Sequence, residues 1–188
     1  MIKKIPVVIL NGFLGSGKTT LFRDLLSQSK KKNIPICAVV NDMSELDVDG
    51  ELLGSSEIIE ENDGILKSIS SCVLSSKLGL AKLDEAIQEL LTTQNPELLI
   101  IETSGSCHPM PLIKYFKDQS IVKLTGVFVL VDSLMFAHDY NYGERLIPMM
   151  QKNMEAGKRD ITNLLVEQIL FCSHLIMTKT DRIEAEKL

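Results

Sequence analysis

Eight residues near the amino terminus, Gly12-Phe13-Leu14-Gly15-Ser16-Gly17-Lys18-Thr19, have the types and spacing to hold a chain of phosphates. They fit G-x-x-x-x-G-K-[ST] in full. Glycines let the backbone curl into a concave nest whose N–H groups converge on phosphate oxygens. A helix that starts at the end of such a loop adds the positive end of its dipole. Lys18 supplies a point charge for the β and γ phosphates, and the Thr19 hydroxyl can ligate magnesium.

Three later segments narrow the chemistry. Glu102 closes the apolar run Leu98 to Ile101 and opens Glu102-Thr103-Ser104-Gly105. A carboxylate at the carboxyl end of a strand, where ligands bind in such sheets, can hold a metal-bound water or orient an attacking one. Thr178-Lys179-Thr180-Asp181 is close to the Asn-Lys-x-Asp signature for guanine. There the aspartate accepts two hydrogen bonds from N1 and N2 of the base, which adenine cannot supply, and the lysine stem packs over the ring. Asn41-Asp42-Met43-Ser44-Glu45 follows the second apolar run, where a segment sensing the γ phosphate would lie.

The surrounding pattern supplies elements to position these groups. Ile5 to Leu10 is a β-branched run ending in a glycine-rich turn, which predicts a strand buried on both faces. Leu21, Phe22, Leu25 and Leu26 then fall at helical spacing, and Lys30-Lys31-Lys32-Asn33 ends that helix. Ile34 to Val40 completes a β-α-β unit of right-handed crossover. Residues 41 to 76 are polar and irregular, and Asp63-Gly64 could close a hairpin between 57–60 and 65–69. Leu80, Leu83, Ile87, Leu90 and Leu91 predict an amphipathic helix. Strands are expected at Leu98 to Ile101, Val127 to Val131 and Leu175 to Met177. Ile161, Leu164, Leu165, Gln168 and Ile169 form a helix ending near Phe171. The alternation predicts an α/β fold of three layers, a mostly parallel sheet with helices on both faces.

Bulk composition excludes other classes. At 188 residues with 45% hydrophobic and 24% charged residues, the chain suits a globular domain. A net charge of -5 argues against a nucleic-acid partner, which a basic surface would meet. No run of about 18 apolar residues exists to span a bilayer, and the start MIKKIPVVIL lacks a signal-peptide cleavage site. Cys37, Cys72, Cys107 and Cys172 are scattered in a way that suits reduced thiols, so a cytoplasmic protein is expected.

With GFLGSGKTT at 12–20, NDMSELDVDGELL at 41–53, ETSG at 102–105 and VEQILFCSHLIMTKTD at 166–181, the chain resembles the CobW-type metallochaperone GTPases. These are relatives of the GTPases that help insert nickel into urease and hydrogenase. The resemblance implies GTP and GDP as ligands, magnesium as cofactor, and hydrolysis coupled to delivery of zinc or cobalt to a client metalloprotein. By that likeness Gly12, Gly15, Ser16, Gly17, Lys18, Thr19 and Thr20 hold phosphates, with Thr19 and Glu102 at the magnesium. Lys179 and Asp181 read guanine, and Lys18 and Glu102 carry catalysis. Members also dimerise through nucleotide-dependent surfaces. The family normally continues past the base-reading motif, so residues 1–188 are expected to be one P-loop GTPase domain without its final elements and C-terminal domain.

Departures from the family pattern leave alternatives open. The metal-binding Cys-x-Cys-Cys turn reads Cys72-Val73-Leu74-Ser75 here, and one thiolate cannot make a tetrahedral zinc site. Cys72 is either a remaining metal ligand or a small apolar filler. Cys107 and His108 could join it in a substitute site. Asp42 and Glu45 match two switch glutamates and are either metal ligands or solvated. The alternative function is therefore a GTP-sensing module that has lost metal transfer. Thr178 stands where asparagine usually braces the phosphate loop, and its hydroxyl can still donate one hydrogen bond. Arg23 and Arg145 are the candidates for an arginine finger.

Overall fold

A computed structural model describes residues 4–41 and 65–184. In chain order the elements are β1 (Ile5–Gly12), α1 (Lys18–Lys32), β2 (Ile36–Val40), β3 (Leu66–Ser68), α2 (Lys77–Thr93) and β4 (Leu98–Glu102). They continue with α3 (Pro109–Lys117), β5 (Val122–Asp132), α4 (Ser133–Tyr140), α5 (Leu146–Glu155), α6 (Ile161–Leu170), β6 (His174–Thr178) and a 3₁₀ turn at Thr180–Arg182.

Among the described residues six strands form one sheet in the order β3-β2-β4-β1-β5-β6, and every pairing is parallel. Parallel pairing puts all the carboxyl ends along one edge. Register aligns Leu10 and Val40 with Glu102, Gly12 with Leu130, and Asp132 with Thr178. The chain leaves β1 in one direction and returns on its other side with β5, so this edge opens into a crevice beside β1, where such sheets bind ligands.

Helices lie on both faces, but unequally. Val7, Ile9, Leu99, Ile101 and Val129 pack with Leu83 and Leu90 of α2, Leu112 of α3 and Leu165 of α6 in one large core. The alternate residues Leu10, Ala38 and Ile100 meet Phe22 and Leu26 of α1 in a smaller one. Alternation along each strand sends successive side chains to opposite faces, so both faces must be covered and the strands read as continuous apolar runs. Local chemistry fixes the helix ends. Asn33 takes a left-handed conformation that stops α1, Ser76 caps α2, and Asp160 with Asn163 builds a capping box on α6.

Several boundaries differ from the sequence expectation. The second strand begins at Ile36 rather than Ile34, because Asn33 and Pro35 make the turn. β5 starts at Val122, five residues before the apolar run, with a register shift between Val7 and Val8 that skips Thr125. Residues 66–68 pair in parallel with β2; the other arm of the expected hairpin, 57–60, lies outside the described residues. No sequence expectation covers α3, α4 and α5.

Candidate functional site: a glycine-rich loop joined to the 178–181 turn

Gly12, at the end of β1, has φ +133, and a Cβ there would lie 2.2 Å from the Leu130 carbonyl oxygen. Only glycine fits this approach of backbone to backbone. Gly15 and Gly17 also have positive φ, and Gly17 is the N-cap of α1. The loop therefore wraps the helix amino terminus as an anion nest requires. Lys18 is 7% exposed, and its Nζ donates to the Phe13 carbonyl at 2.8 Å, which folds the ammonium over the loop it serves.

Glu102 sits across this loop, at the end of β4 and 4% exposed. Its Oε1 accepts from the Thr19 hydroxyl at 2.7 Å. A cavity of about 670 Å³ is lined by Lys18, Thr19, Thr20, Asn41, Glu102 and Gly105 among others, a size suited to a nucleotide-sized ligand. No arginine lines it among the described residues; Arg23 and Arg145 are elsewhere. Gly105 closes one wall, where a Cβ would come within 2.6 Å of the Leu14 backbone nitrogen.

Asn41, named in the sequence only as the start of a segment that could sense the γ phosphate, is a structural tie. Its backbone N–H donates to the Glu102 carbonyl at 2.8 Å. Its side-chain amide donates to the carbonyls of Ile69 (2.6 Å) and Cys72 (2.8 Å), and its Oδ1 accepts from the Leu74 N–H at 3.2 Å. One buried amide thus ties the Cys72 loop to the strand end beside Glu102. A polar residue just past a buried strand, ahead of a polar segment, was the available signal.

At the other end of the crevice, the Thr178 hydroxyl reaches the Ser16 carbonyl at 2.9 Å and the Val131 carbonyl at 3.2 Å. The threonine does what the missing asparagine was expected to do. Lys179, at φ 56, forms an ion pair with Asp132. Burial pushes the Asp132 carboxyl up, but the Lys179 bond and the N–H groups of Met135 and Leu134 outweigh it, leaving the pKa below the usual carboxylate range. Asp181 is exposed in the 3₁₀ turn, and neither it nor Lys179 lines the phosphate cavity.

The substitute thiol site, one of the alternatives left open by the sequence, is not assembled among the described residues. Cys107 is fully buried in the large core, and burial raises its pKa to about 11. Its Sγ donates weakly to the His108 carbonyl at 3.7 Å. His108 turns away, its Nδ1 2.8 Å from Glu167 Oε2. Among the described residues no three His, Cys, Asp or Glu side chains group as metal ligands, so Cys107 and His108 do not join Cys72. Packing decides this: Cys107 fills apolar space under α3, and α6 claims the imidazole. Asp42 and Glu45 lie outside the described residues. All four cysteines are free.

The sequence matches the family described as CobW/HypB/UreG, nucleotide-binding domain, over residues 6–188. The chain belongs to that family. Among the CobW/HypB/UreG proteins it is similar to, the zinc chaperone CobW of a Sinorhizobium species is 32% identical over 196 residues, covering 98% of this chain and 53% of the relative. The zinc-regulated GTPase metalloprotein activator 1 of Dictyostelium discoideum is 29% identical over 201 residues, covering 99% and 42%. The crystal structure of Zn(II)-bound YjiA GTPase from E. coli superposes with a TM-score of 0.55 at 25% identity, covering 98% of this chain and 52% of that one. This CobW/HypB/UreG chain therefore spans about half the length of the curated relatives it matches. No helix among its described residues is long and apolar enough to cross a membrane.

Proposed function

We propose that this chain binds and hydrolyses GTP and couples its nucleotide state to delivery of a transition metal to a client metalloprotein. The observation that carries the first half is the 2.7 Å contact between Thr19 and Glu102, set in a cavity with Lys18. A hydroxyl and a carboxylate are hard oxygen donors of the kind magnesium takes beside substrate phosphates, so these two residues fit that ion. Magnesium, when bound, neutralises charge building on the phosphates. Lys18 places its ammonium at the terminal phosphate, the loop amides hold the chain in line, and Glu102 orients the attacking water. With no arginine among the described residues lining the cavity, turnover is expected to be slow.

Guanine specificity rests on Asp181, with Lys179 packed along the base and Thr178 keeping their turn docked on the phosphate loop. Metal delivery rests on the names of the relatives, two of which are a zinc chaperone and a zinc-regulated activator. The cargo-holding residues of this reading are Cys72, Asp42 and Glu45, with zinc as the metal and a client as recipient. A GTP-sensing module without metal transfer is the second reading, favoured by Leu74 and Ser75 standing beside a single thiol.

Phosphate release from GTP and from ATP with magnesium tests the first half. GTP-selective release that Lys18→Ala abolishes is the expected result; release at equal rates from both nucleotides would overturn it. Zinc titration of the GTP-loaded protein separates the two readings, since Cys72-dependent stoichiometric binding belongs only to the first.

A further inference from the structure

Gln168 is a fully buried amide on the core-facing side of α6, beside Thr162, Leu165 and Val166. Its Nε2 lies 3.0 Å from Asn11 Oδ1, 3.2 Å from the Cys107 carbonyl and 3.4 Å from the Gly105 carbonyl. Three acceptors around one atom fix the amide's orientation, because the flipped form would set oxygen against oxygen. Asn11 continues the network, accepting from the Gly12 N–H at 2.6 Å and donating to the Cys107 carbonyl at 3.3 Å. The preceding residue, Glu167, holds His108 at 2.8 Å. Adjacent residues of α6 therefore grip both ends of loop 105–108.

That loop matters because Gly105 touches the phosphate loop at Leu14 and lines the cavity. Gln168 Oε1, meanwhile, is buried with no hydrogen-bond partner among the described residues. A buried acceptor left open costs free energy and calls for an explanation. An apolar residue would fill the same space without that cost, so the amide is kept for what its nitrogen holds.

We propose that Gln168, supported by Glu167, is a positioning residue for hydrolysis: it sets the Gly105 backbone against the phosphate loop where the terminal phosphate lies. This rests on the GTPase reading above. GDP, which has no terminal phosphate, does not draw on this grip, whereas the transition state does.

The test is a Gln168→Met variant, which keeps volume and removes both polar atoms, with Glu167→Ala as a partly exposed companion. GDP affinity, affinity for a non-hydrolysable GTP analogue, kcat and KM are measured with magnesium. The expected result for Gln168→Met is GDP affinity within about twofold of wild type, with kcat and the analogue-over-GDP preference falling on the order of tenfold to a hundredfold. Glu167→Ala should show the same split at about threefold. A parallel fall in GDP affinity and kcat would mark a merely structural role and overturn the proposal, as would unchanged kcat. Should Gln168→Met fail to fold, the Glu167→Ala split decides. A wild-type chain that binds no GDP would instead sink the GTPase reading itself.

Discussion

The Thr178 hydroxyl donates to the Ser16 carbonyl at 2.9 Å, and this contact joins residues 162 positions apart in sequence. The phosphate loop and the 178–181 turn are thereby one unit, so whatever fixes the loop also fixes the turn that holds Lys179 and Asp181. Replacing Thr178 with valine keeps the shape and removes the donor. The account predicts a loss of about 1 kcal/mol in stability and a fall of several-fold in GDP affinity. Calorimetry on the free protein and titration with GDP check it, and an unchanged affinity would mean that the contact does not position the turn.

Glu102→Gln keeps an oxygen for Thr19 but removes the charge. Hydrolysis should fall on the order of a hundredfold, while GDP binding with EDTA present stays as in wild type. If the magnesium dependence of GDP binding is the same in both proteins, Glu102 does not help hold the ion.

Asp132→Asn separates two roles of one side chain. Asn is as good an N-cap as Asp, and the cap on α4 uses Oδ1 toward Leu134 and Met135. Only the charge facing Lys179 is lost, so stability should fall by up to about 1 kcal/mol while GDP affinity drops about threefold at low salt. Because the folded pKa of Asp132 is lowered, its stabilising contribution is full above the unfolded carboxylate value of about 3.9. That contribution is lost only as pH falls through the folded pKa. The difference between variant and wild type should therefore persist unchanged from pH 8 to pH 5, and its disappearance near pH 6 would point to another group.

The thiols should divide by burial. Cys37 and Cys107 are buried, and desolvation raises both to about 11, whereas Cys72 and Cys172 are partly exposed, burial raising Cys172 as well. At pH 8 an alkylating reagent should modify Cys72 and Cys172 in the native protein, with the other two reacting only after unfolding. Since the folded thiols ionise later than the unfolded ones, their contribution to stability is full below pH 9.0 and erodes as pH rises toward 11. Denaturant unfolding at pH 8 and pH 10 measures this, and equal stabilities would contradict it.

How far the sequence carries depends on whether a feature is local. Gly12 to Thr19 is legible because its chemistry is contained in eight consecutive residues, and the parallel strands because burial on both faces leaves plain apolar runs. Glu102 was legible from its place at a strand end. Asn41, Asp132 and Gln168 were not assigned their roles, since each is defined by partners from distant segments: Cys72 and Leu74, Lys179, and Gly105 with Cys107. For Gln168 the signal was a polar residue at a core position of the helical pattern. The early half of β5 was hidden because Lys123, Thr125 and Gly126 break the apolar run, and only pairing with β1 extends the strand. The alternative Cys72, Cys107 and His108 site does not form for a packing reason, as Cys107 is buried in the core while Glu167 of α6 holds the neighbouring His108 imidazole.

The central claim is a guanine-selective phosphate site, and paired isothermal titrations of GDP and ADP with magnesium test it most directly. The account predicts GDP binding at least tenfold tighter than ADP, abolished in Lys18→Ala, with the selectivity lost in Asp181→Ala. A two-hydrogen-bond contact from a carboxylate to the base is large enough for that discrimination. Equal binding of GDP and ADP, or selectivity that survives Asp181→Ala, would contradict it.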